Sequence, residues 1–163
     1  MNSAYLLIGG NLGNRVSNLA EARNLINEYC GEIISYSSLY ETAAWGNMDQ
    51  PSFLNQALHI ATSLNARQLM RKILKVEKMM GRVREVKLGP RIIDIDILFY
   101  EKEIHDLRFL KIPHPEIQSR RFVLVPMSEI NPGFEHPVLN KTIQQLLEEC
   151  TDKLEVKKIK DQS

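Results

Sequence analysis

The feature that most constrains this chain is a short stretch in which isoleucine and aspartate alternate, Ile93-Asp94-Ile95-Asp96-Ile97. Alternation with a period of two is the pattern of a β-strand that has one apolar and one polar face. It sends the three isoleucines to one side and both aspartates to the other. We therefore predict a strand over Ile92–Tyr100, with the Cα atoms of the two aspartates about 6.6 Å apart along it.

The other periodic segments predict a β-α-β-β-α-β order followed by a proline-broken region. Including the strand above, four segments have strand patterns and three have helical spacing, and in chain order they are Ala4–Ile8, Arg15–Tyr29, Ile33–Thr42, Phe53–Ser63, Ala66–Met80, Ile92–Tyr100 and a helix that begins near Thr142. We expect an α+β fold of the ferredoxin-like type, an antiparallel sheet with helices on one face and a loop-rich C-terminal extension.

The composition is that of an ordinary globular protein. The chain has 163 residues, 25% of them charged, and a net charge of +1, so we expect a single domain over residues 1–163. The balanced charge argues against a general affinity for nucleic acid or an anionic membrane. We expect no signal peptide, no spanning helix, a cytoplasmic location and a monomer.

The two cysteines lie far apart and lack the spacing of metal ligands. Cys30 and Cys150 are separated by most of the chain. We expect a pair of reduced thiols, with a single disulfide as the alternative.

Asp94 and Asp96, on one face of one strand, form a candidate metal site. Side chains that project in parallel from this spacing can converge on ions about 3.5–4 Å apart, as two-metal phosphoryl transfer requires. Carboxylate oxygens are ligands that Mg²⁺ prefers. The alternative is a pair of exposed aspartates on the solvated side of an amphipathic strand, although aspartate is disfavoured in strands and neighbouring carboxylates repel each other.

A cluster of basic residues comes just before this strand. Arg82, Arg84 and Arg91 fall within ten residues, with Lys87 between them, and glycines and a proline mark the stretch as a loop. The planar arginine side chain makes bidentate contacts with phosphate. A solvated basic loop is the alternative, but the closeness of Arg91 to Asp94 favours a joint site for metal and polyphosphate.

The stretch from Gly89 to Leu98, Gly89-Pro90-Arg91-Ile92-Ile93-Asp94-Ile95-Asp96-Ile97-Leu98, resembles the signature of the 6-hydroxymethyl-7,8-dihydropterin pyrophosphokinases of folate synthesis. The resemblance covers nearly the whole chain and includes Gly9-Gly10-Asn11-Leu12-Gly13, Gln50-Pro51 and Pro113-His114. It implies Mg²⁺-dependent transfer of diphosphate from ATP to 6-hydroxymethyl-7,8-dihydropterin, which yields AMP and the pterin diphosphate.

The resemblance also implies roles for single positions. Asp94 and Asp96 are expected to hold two Mg²⁺ ions, and Arg82 and Arg91 to contact the transferred diphosphate. The remaining implied contacts are to ATP from Glu77, Arg84, His114 and Arg120, and to the pterin from Thr42, Ala43, Trp45, Phe53, Asn55 and Phe122.

Several of these positions have ordinary structural alternatives. Phe53 and Phe122 also fit the core, and Glu77 also fits an exposed helix residue paired with a nearby Lys or Arg. Other positions depart from the family pattern. Ala43 and Ala44 stand where proline is common, Leu88 where an aromatic is common, and Arg121 where glycine is frequent, so that either Arg120 or Arg121 is a candidate for the phosphate contact.

Two rival functions share part of this pattern. A nucleotidyltransferase would also use paired aspartates and two metals, but it would release pyrophosphate, and no basic stripe for a nucleic acid acceptor is present. A regulatory module that senses a small ligand would not need two aligned aspartates beside three arginines.

Overall fold

In the computed structural model, the described residues are 1–44, 50–82 and 90–159. Their strands and helices are arranged around an antiparallel sheet. In chain order these ranges contain β1 (Asn2–Gly10), α1 (Arg15–Tyr29), β2 (Glu32–Tyr36), β3 (Leu39–Thr42), β4 (Phe53–Thr62), α2 (Ala66–Met79), β5 (Asp94–Tyr100), β6 (His105–Leu107), β7 (Leu110–Ile112), a 3₁₀ helix (Ile117–Ser119), α3 (Arg121–Ile130), α4 (Ile143–Glu149) and β8 (Lys157–Ile159).

The main sheet has β1 inside it rather than at an edge. β1 pairs with β5 on one side and with β4 on the other, and β2 and β3 follow one another along the far side of β4. β8 pairs with β3, and every one of these pairings is antiparallel. The predicted strand Ile33–Thr42 is therefore present as two strands, interrupted where both the backbone and the hydroxyl of Ser37 bond to Ala57.

The first face of the sheet is covered by α1 and α2, at the bounds that the helical spacing predicts to within one residue. Each helix begins at an asparagine whose side chain accepts a backbone N–H, Asn14 from Ser17 and Asn65 from Gln68. The core between them and the sheet consists of fully buried apolar side chains, among them Ala4, Leu6, Ile8, Leu19, Ala22, Ile26, Leu69, Ile73 and Val76.

The second face is also covered by helices, which corrects the expectation of helices on one face only. Val123, Leu124 and Met127 of α3 and Ile143 and Leu146 of α4 pack on residues of β1, β4 and β5 that point the other way. The prolines suggested breaks, but Pro126 lies buried inside α3. Helix α4 does start where predicted, because Thr142 and Gln145 form a capping box.

The remaining global expectations concern membranes and cysteines. Among the helices of the described ranges, none is long and apolar enough to cross a membrane. Cys30 is buried, Cys150 is partly buried, and both are free thiols. Burial raises the pKa of Cys30 to about 12, which keeps that thiol protonated.

Candidate active site

Asp94 and Asp96 face a cavity of about 100 Å³ at one end of the sheet. Strands β1, β3, β4 and β5 and the start of α3 contribute its walls, so residues far apart in sequence meet there. The lining residues are Leu7, Gly9, Thr42, Ala43, Phe53, Asn55, Arg91, Asp94, Asp96, Arg120 and Phe122. The structure thus brings together most of the residues that the sequence nominated for the two substrates.

Two arginines hold the carboxylate of Asp94 from both sides. Arg82 donates from Nη1 to Asp94 Oδ1, and Arg91 donates from Nη1 to Asp94 Oδ2 at 3.1 Å. The same Arg82 nitrogen also lies 3.0 Å from Glu77 Oε2. The two carboxylates raise the pKa of Arg82 despite its partial burial. Charge-assisted contacts of this kind fix where the guanidinium groups point before any substrate binds.

Glu77 lies behind Arg82 and is not among the residues that line the cavity, and its contact with ATP stays a prediction. It is only 2% exposed, which also excludes the exposed helix residue considered above. Its carboxylate accepts the backbone N–H of Ile95 at 2.8 Å in addition to the Arg82 contact. Glu77 therefore connects the last turn of α2 to β5 and positions Arg82.

Asp96 differs from Asp94 because its carboxylate accepts no hydrogen bond from any group in the described part of the chain. Burial and the neighbouring charges of Asp94 and Glu77 together raise its pKa to about 8. A divalent cation would relieve this repulsion, and two convergent carboxylates suit Mg²⁺, which takes its other ligands from phosphate and water. The residues present therefore fit the implied metal, although the described ranges contain no group of three or more Asp, Glu, His or Cys side chains that could hold a metal ion.

One side of the cavity, where the sequence predicts pterin contacts, is lined by aromatic and amide side chains. Phe53 and Phe122 are each partly buried, and each has a guanidinium near its ring, Arg91 and Arg120 respectively, with 5.7 Å from the guanidinium carbon to the ring centroid. Asn55 is 5% exposed and donates its amide N–H to Thr42 Oγ1 at 3.3 Å. The alternative that these aromatics belong only to the core does not hold, because both line the cavity.

Two glycines let the chain approach this wall closely. A Cβ atom on Gly9 would lie 2.2 Å from Asn55 Oδ1, and one on Gly10 would lie 2.4 Å from the carbonyl oxygen of Ile92. A larger residue would displace the Asn55 side chain at the first position and the backbone around Ile92 at the second. The glycine pair therefore does more than make a tight turn, since it admits Asn55 and the residues that lead into β5.

Asn11 is a residue of this site that the sequence analysis left without a role. Its backbone N–H donates to the Arg91 carbonyl at 3.0 Å, and its Oδ1 accepts the Arg91 N–H at 2.9 Å. Its amide nitrogen also donates to Gln50 Oε1 and to the Pro51 carbonyl, each at 3.1 Å. Asn11 therefore links the segment that carries Arg91 to the segment that leads into Phe53. The available sequence signal was an asparagine directly after a glycine pair.

His114 lies close enough to Arg120 and Asp94 to feel their charges, but of these three residues it alone does not line the cavity. Arg120 lines the cavity, whereas Arg121 donates its backbone N–H to Asp152, so Arg120 is the better candidate for a phosphate contact. Burial and the charge of Arg120 lower the pKa of His114, whose Nδ1 accepts the N–H of Glu116 at 3.2 Å. His114 is therefore neutral near pH 7, with Nε2 carrying the proton.

The predicted contacts of Trp45 and Arg84 fall outside the described residues, as do Lys87 and Leu88. Ala44 is within them and is 5% exposed. Of the two alanines that replace proline, Ala43 alone lines the cavity.

The comparisons with known proteins identify the family of the chain. The family model described as 7,8-dihydro-6-hydroxymethylpterin-pyrophosphokinase matches residues 5–132. A protein of Aquifex aeolicus named 2-amino-4-hydroxy-6-hydroxymethyldihydropteridine pyrophosphokinase is 42% identical over 151 residues, which are 93% of this chain and 94% of that protein. A Bacillus subtilis protein of the same name is 41% identical over 130 residues, 79% of this chain and 78% of that protein.

Longer proteins also contain a matching region. The folic acid synthesis protein fol1 of Pneumocystis carinii is 36% identical over 92% of this chain, which spans only 20% of that protein. The crystal structure of Plasmodium falciparum HPPK-DHPS wild type with pterin and p-hydroxybenzoate superposes with a TM-score of 0.74 and 20% identity, covering 91% of this chain and 41% of that chain. This structural likeness concerns the fold, whereas the family model and the bacterial relatives concern the sequence. The chain therefore belongs to the 7,8-dihydro-6-hydroxymethylpterin-pyrophosphokinase family.

Proposed function

We propose that this chain is an ATP-dependent diphosphokinase that converts 6-hydroxymethyl-7,8-dihydropterin into its diphosphate, with release of AMP, in folate biosynthesis. The observation that carries the proposal is the cavity in which Asp94 and Asp96 lie beside Arg91 and Arg120 and opposite two aromatic rings. Carboxylates and arginines suit a metal-bound polyphosphate, and the aromatic rings suit a flat heterocycle. Family membership supports the same reaction.

The carboxylates of Asp94 and Asp96 are the groups that would hold Mg²⁺, and we propose two ions. Bound there, Mg²⁺ would neutralise charge on the phosphates and would lower the pKa of the substrate's hydroxymethyl group. The chain prepares this position by keeping Asp96 free of hydrogen bonds from described residues. Arg82 and Arg91 lie beside this proposed metal position, because each forms an ion pair with Asp94.

The arginines are proposed to bind the transferred diphosphate. Arg82 and Arg91 already point at a carboxylate, and phosphate oxygens offer them an equivalent acceptor when ATP arrives. Arg120 lines the cavity, and its Nε is buried without a hydrogen bond in the described structure, so it is available to the α- or β-phosphate of ATP. His114 can donate from Nε2 to ATP, and Arg84 is proposed to contact ATP from the segment before Pro90.

The pterin ring is proposed to lie between Phe53 and Phe122. Stacking of this kind is favourable for flat rings at offset geometry. Asn55, with Thr42 and Ala43 beside it, offers hydrogen-bonding groups to the edge of the ring, and Trp45 is proposed to complete this wall.

In the reaction, the hydroxymethyl oxygen attacks the β-phosphorus of ATP in line. A bond forms between that oxygen and the β-phosphorus, the bond from the β-phosphorus to the oxygen bridging to the α-phosphate breaks, and AMP leaves with that oxygen. The hydroxyl proton passes to Asp96 or to solvent. The arginines keep the β,γ-diphosphate in place throughout, so positioning and charge carry most of the catalysis.

Further properties follow as proposals of the same kind. The fold is assigned to the ferredoxin-like class, since β5, β1, β4 and the β2–β3 edge keep the strand order of that class when α1 and α2 cross one face. We propose that the region after β5 is a loop-rich C-terminal extension of this fold. We also propose a single domain, a monomer and a cytoplasmic enzyme without nucleic acid or membrane partners.

The test is mass spectrometry of the purified protein with ATP, 6-hydroxymethyl-7,8-dihydropterin and Mg²⁺, with EDTA in a parallel sample. AMP and pterin diphosphate should appear in equal amounts in the Mg²⁺ sample and in trace amounts with EDTA. ADP in place of AMP would show a single-phosphoryl kinase, and free pyrophosphate with an AMP adduct would show a nucleotidyltransferase. Intact ATP would refute the proposed substrate pair.

A further inference from the structure

Glu129, near the far end of α3, joins elements that the proposed mechanism leaves aside. Its Oε2 accepts the backbone N–H of Ser38 at 2.6 Å and the hydroxyl of the same residue at 3.2 Å. Its Oε1 accepts the hydroxyl of Tyr40, and Lys158 of β8 lies 4.0 Å away. One carboxylate therefore ties α3 to the beginning of β3 and lies beside the edge strand β8.

The charge states of these groups keep the contact in place. Burial would raise the pKa of Glu129, but the hydrogen bonds from Tyr40 and Ser38 and the charge of Lys158 outweigh it and lower that pKa. Burial, together with Glu129, raises the pKa of Tyr40, which therefore keeps its proton and remains a donor. Near neutral pH the carboxylate is ionised and accepts all three hydrogen bonds.

Helix α3, which carries Glu129, also carries a residue of the cavity wall. Phe122 and Glu129 are seven residues apart, which is about two turns of an α-helix, so they lie on the same side of α3 about 10.5 Å apart along its axis. Phe122 lines the cavity from the start of the helix. Holding Glu129 therefore fixes the tilt of the helix that presents Phe122.

Strand β3, which Glu129 contacts through Tyr40, also carries a residue of the cavity wall. Tyr40 and Thr42 are two residues apart in β3, so their side chains leave the same face of the strand. Thr42 lines the cavity, accepts the Asn55 amide and pairs with Phe53 of β4. Glu129 thus connects α3 to β3 at one end of the two elements. At their other ends, Phe122 and Thr42 line the cavity.

We propose that Glu129 is a positioning residue for the pterin half of the site, which sets the gap between Thr42 and Phe122 and thereby the affinity for a flat bicyclic ring. The proposal rests on the proposed function for the identity of that ring. Glu129 touches no cavity atom itself, so its effect passes through β3 and α3. A purely stabilising role is the competing explanation.

Asn131 provides a matched control at the same end of α3. Its amide donates to the Tyr5 hydroxyl of β1 at 2.8 Å, so it ties the helix to the sheet without touching β3. Replacing Asn131 removes one contact of α3, and replacing Glu129 removes the contact that also involves β3. The two substitutions therefore separate general loosening of the helix from movement of the pterin wall.

The experiment compares full-length Glu129→Ala, Glu129→Gln and Asn131→Ala with the parent chain. We expect Glu129→Ala to raise KM for the pterin about tenfold, the equivalent of losing one or two hydrogen bonds, and to leave KM for ATP within about twofold. Glu129→Gln keeps an acceptor oxygen and should recover part of the loss. Asn131→Ala should lower Tm while KM for the pterin stays within about twofold of the parent value.

A second measurement does not depend on activity. Hydrogen exchange at the amides of Thr42 and Ala43 should accelerate in Glu129→Ala and stay at the parent rate in Asn131→Ala. The positioning role would be overturned if Thr42 and Ala43 exchanged equally fast in Glu129→Ala and Asn131→Ala. It would also be overturned if Glu129→Ala changed KM for the pterin and KM for ATP equally. If the parent chain makes no pterin diphosphate, the proposed function fails, and the exchange rates still decide whether Glu129 positions this wall.

Discussion

The two halves of the cavity are held in place by different forces. On the proposed diphosphate side, Arg82 and Arg91 share Asp94, so charged groups hold one another. On the proposed pterin side, Phe53 is held by strand pairing and Asn55 by a neutral hydrogen bond to Thr42. If these assignments hold, the arginines exchange partners when substrates bind, whereas Phe53 and Asn55 keep theirs. Substitutions should therefore change charge balance and turnover in one half, and substrate affinity in the other.

The largest expected effect is on the charged side. Asp96→Asn should lower turnover at least about a thousandfold, because it removes a proposed metal ligand whose interactions would be worth several kcal/mol. The exposed Asp106, which pairs with Lys111, provides a control, and Asp106→Asn should keep full turnover. Single-turnover measurement of AMP formation checks both, and comparable losses in the two variants would contradict the assignment.

The same substitution should stabilise the protein when no metal is bound. The folded-state pKa of Asp96 is raised from 3.8 to about 8, so this carboxyl favours folding as the pH falls from about 8 towards 4 and opposes it at higher pH. Asparagine removes that opposition. Thermal unfolding in EDTA should therefore show a higher Tm for Asp96→Asn at pH 8, and a smaller rise in Tm on acidification.

Glu77→Gln tests whether the charged half depends on a buried partner. It should lower the free energy of unfolding by about 3 kcal/mol, since it breaks a buried ion pair with Arg82 and leaves that arginine only partly compensated. Glu116, which lies 3.7 Å from Arg120 and is 50% exposed, gives the matched pair. Glu116→Gln should cost less than about 1 kcal/mol in urea unfolding. Similar losses would show that burial of Glu77 is unimportant.

Asn11→Ala should weaken both halves together, because Asn11 bonds to the segment before each of them. We expect KM for ATP and KM for the pterin each to rise about tenfold, from the loss of several hydrogen bonds of about 1 kcal/mol. Asn18, whose amide makes a single bond to the Leu12 carbonyl, is the control. Steady-state kinetics in which one KM alone changed would show that the two halves are independent here.

The smallest effect is expected for one aromatic wall. Phe122→Ala should raise KM for the pterin about five- to tenfold, since stacking contributes about 1 kcal/mol, and should leave KM for ATP unchanged within about twofold. Tyr36, which is 60% exposed on β2, serves as the control aromatic. An equal rise in both KM values for Phe122→Ala would mean that this ring does not distinguish the two halves.

The parts of the fold that could be predicted are those in which local pattern and tertiary packing agree. Strand β5 alternates strictly, α1 and α2 have apolar stripes, and α4 has a capping box. Helix α3 was missed because it contains Pro126 and its run of apolar residues has no clear helical period. Strand β8 was missed because Lys157–Ile159 has no strand pattern of its own and is extended only by pairing with β3.

The site shows the same division. Asp94, Asp96 and Arg91 are close in sequence, so their proximity in space could be foreseen. The burial of Glu77 could not, because the partners that compensate it, Arg82 and the N–H of Ile95, are brought there by the docking of α2 on β5. Asn11 was missed for a similar reason, since its four hydrogen bonds all reach residues distant in the chain.

Strand β1, which precedes every strand it pairs with, has a consequence for how the chain is made. Its neighbours β4 and β5 begin at Phe53 and Asp94, so during synthesis the apolar β1 emerges with neither side paired. Unpaired apolar strands are the segments on which nascent chains aggregate, and distant partners delay their protection. During synthesis, the strongly buried β1 therefore stays unpaired until β4 and β5 have been made. It is the strand of this sheet that a chaperone would most need to protect.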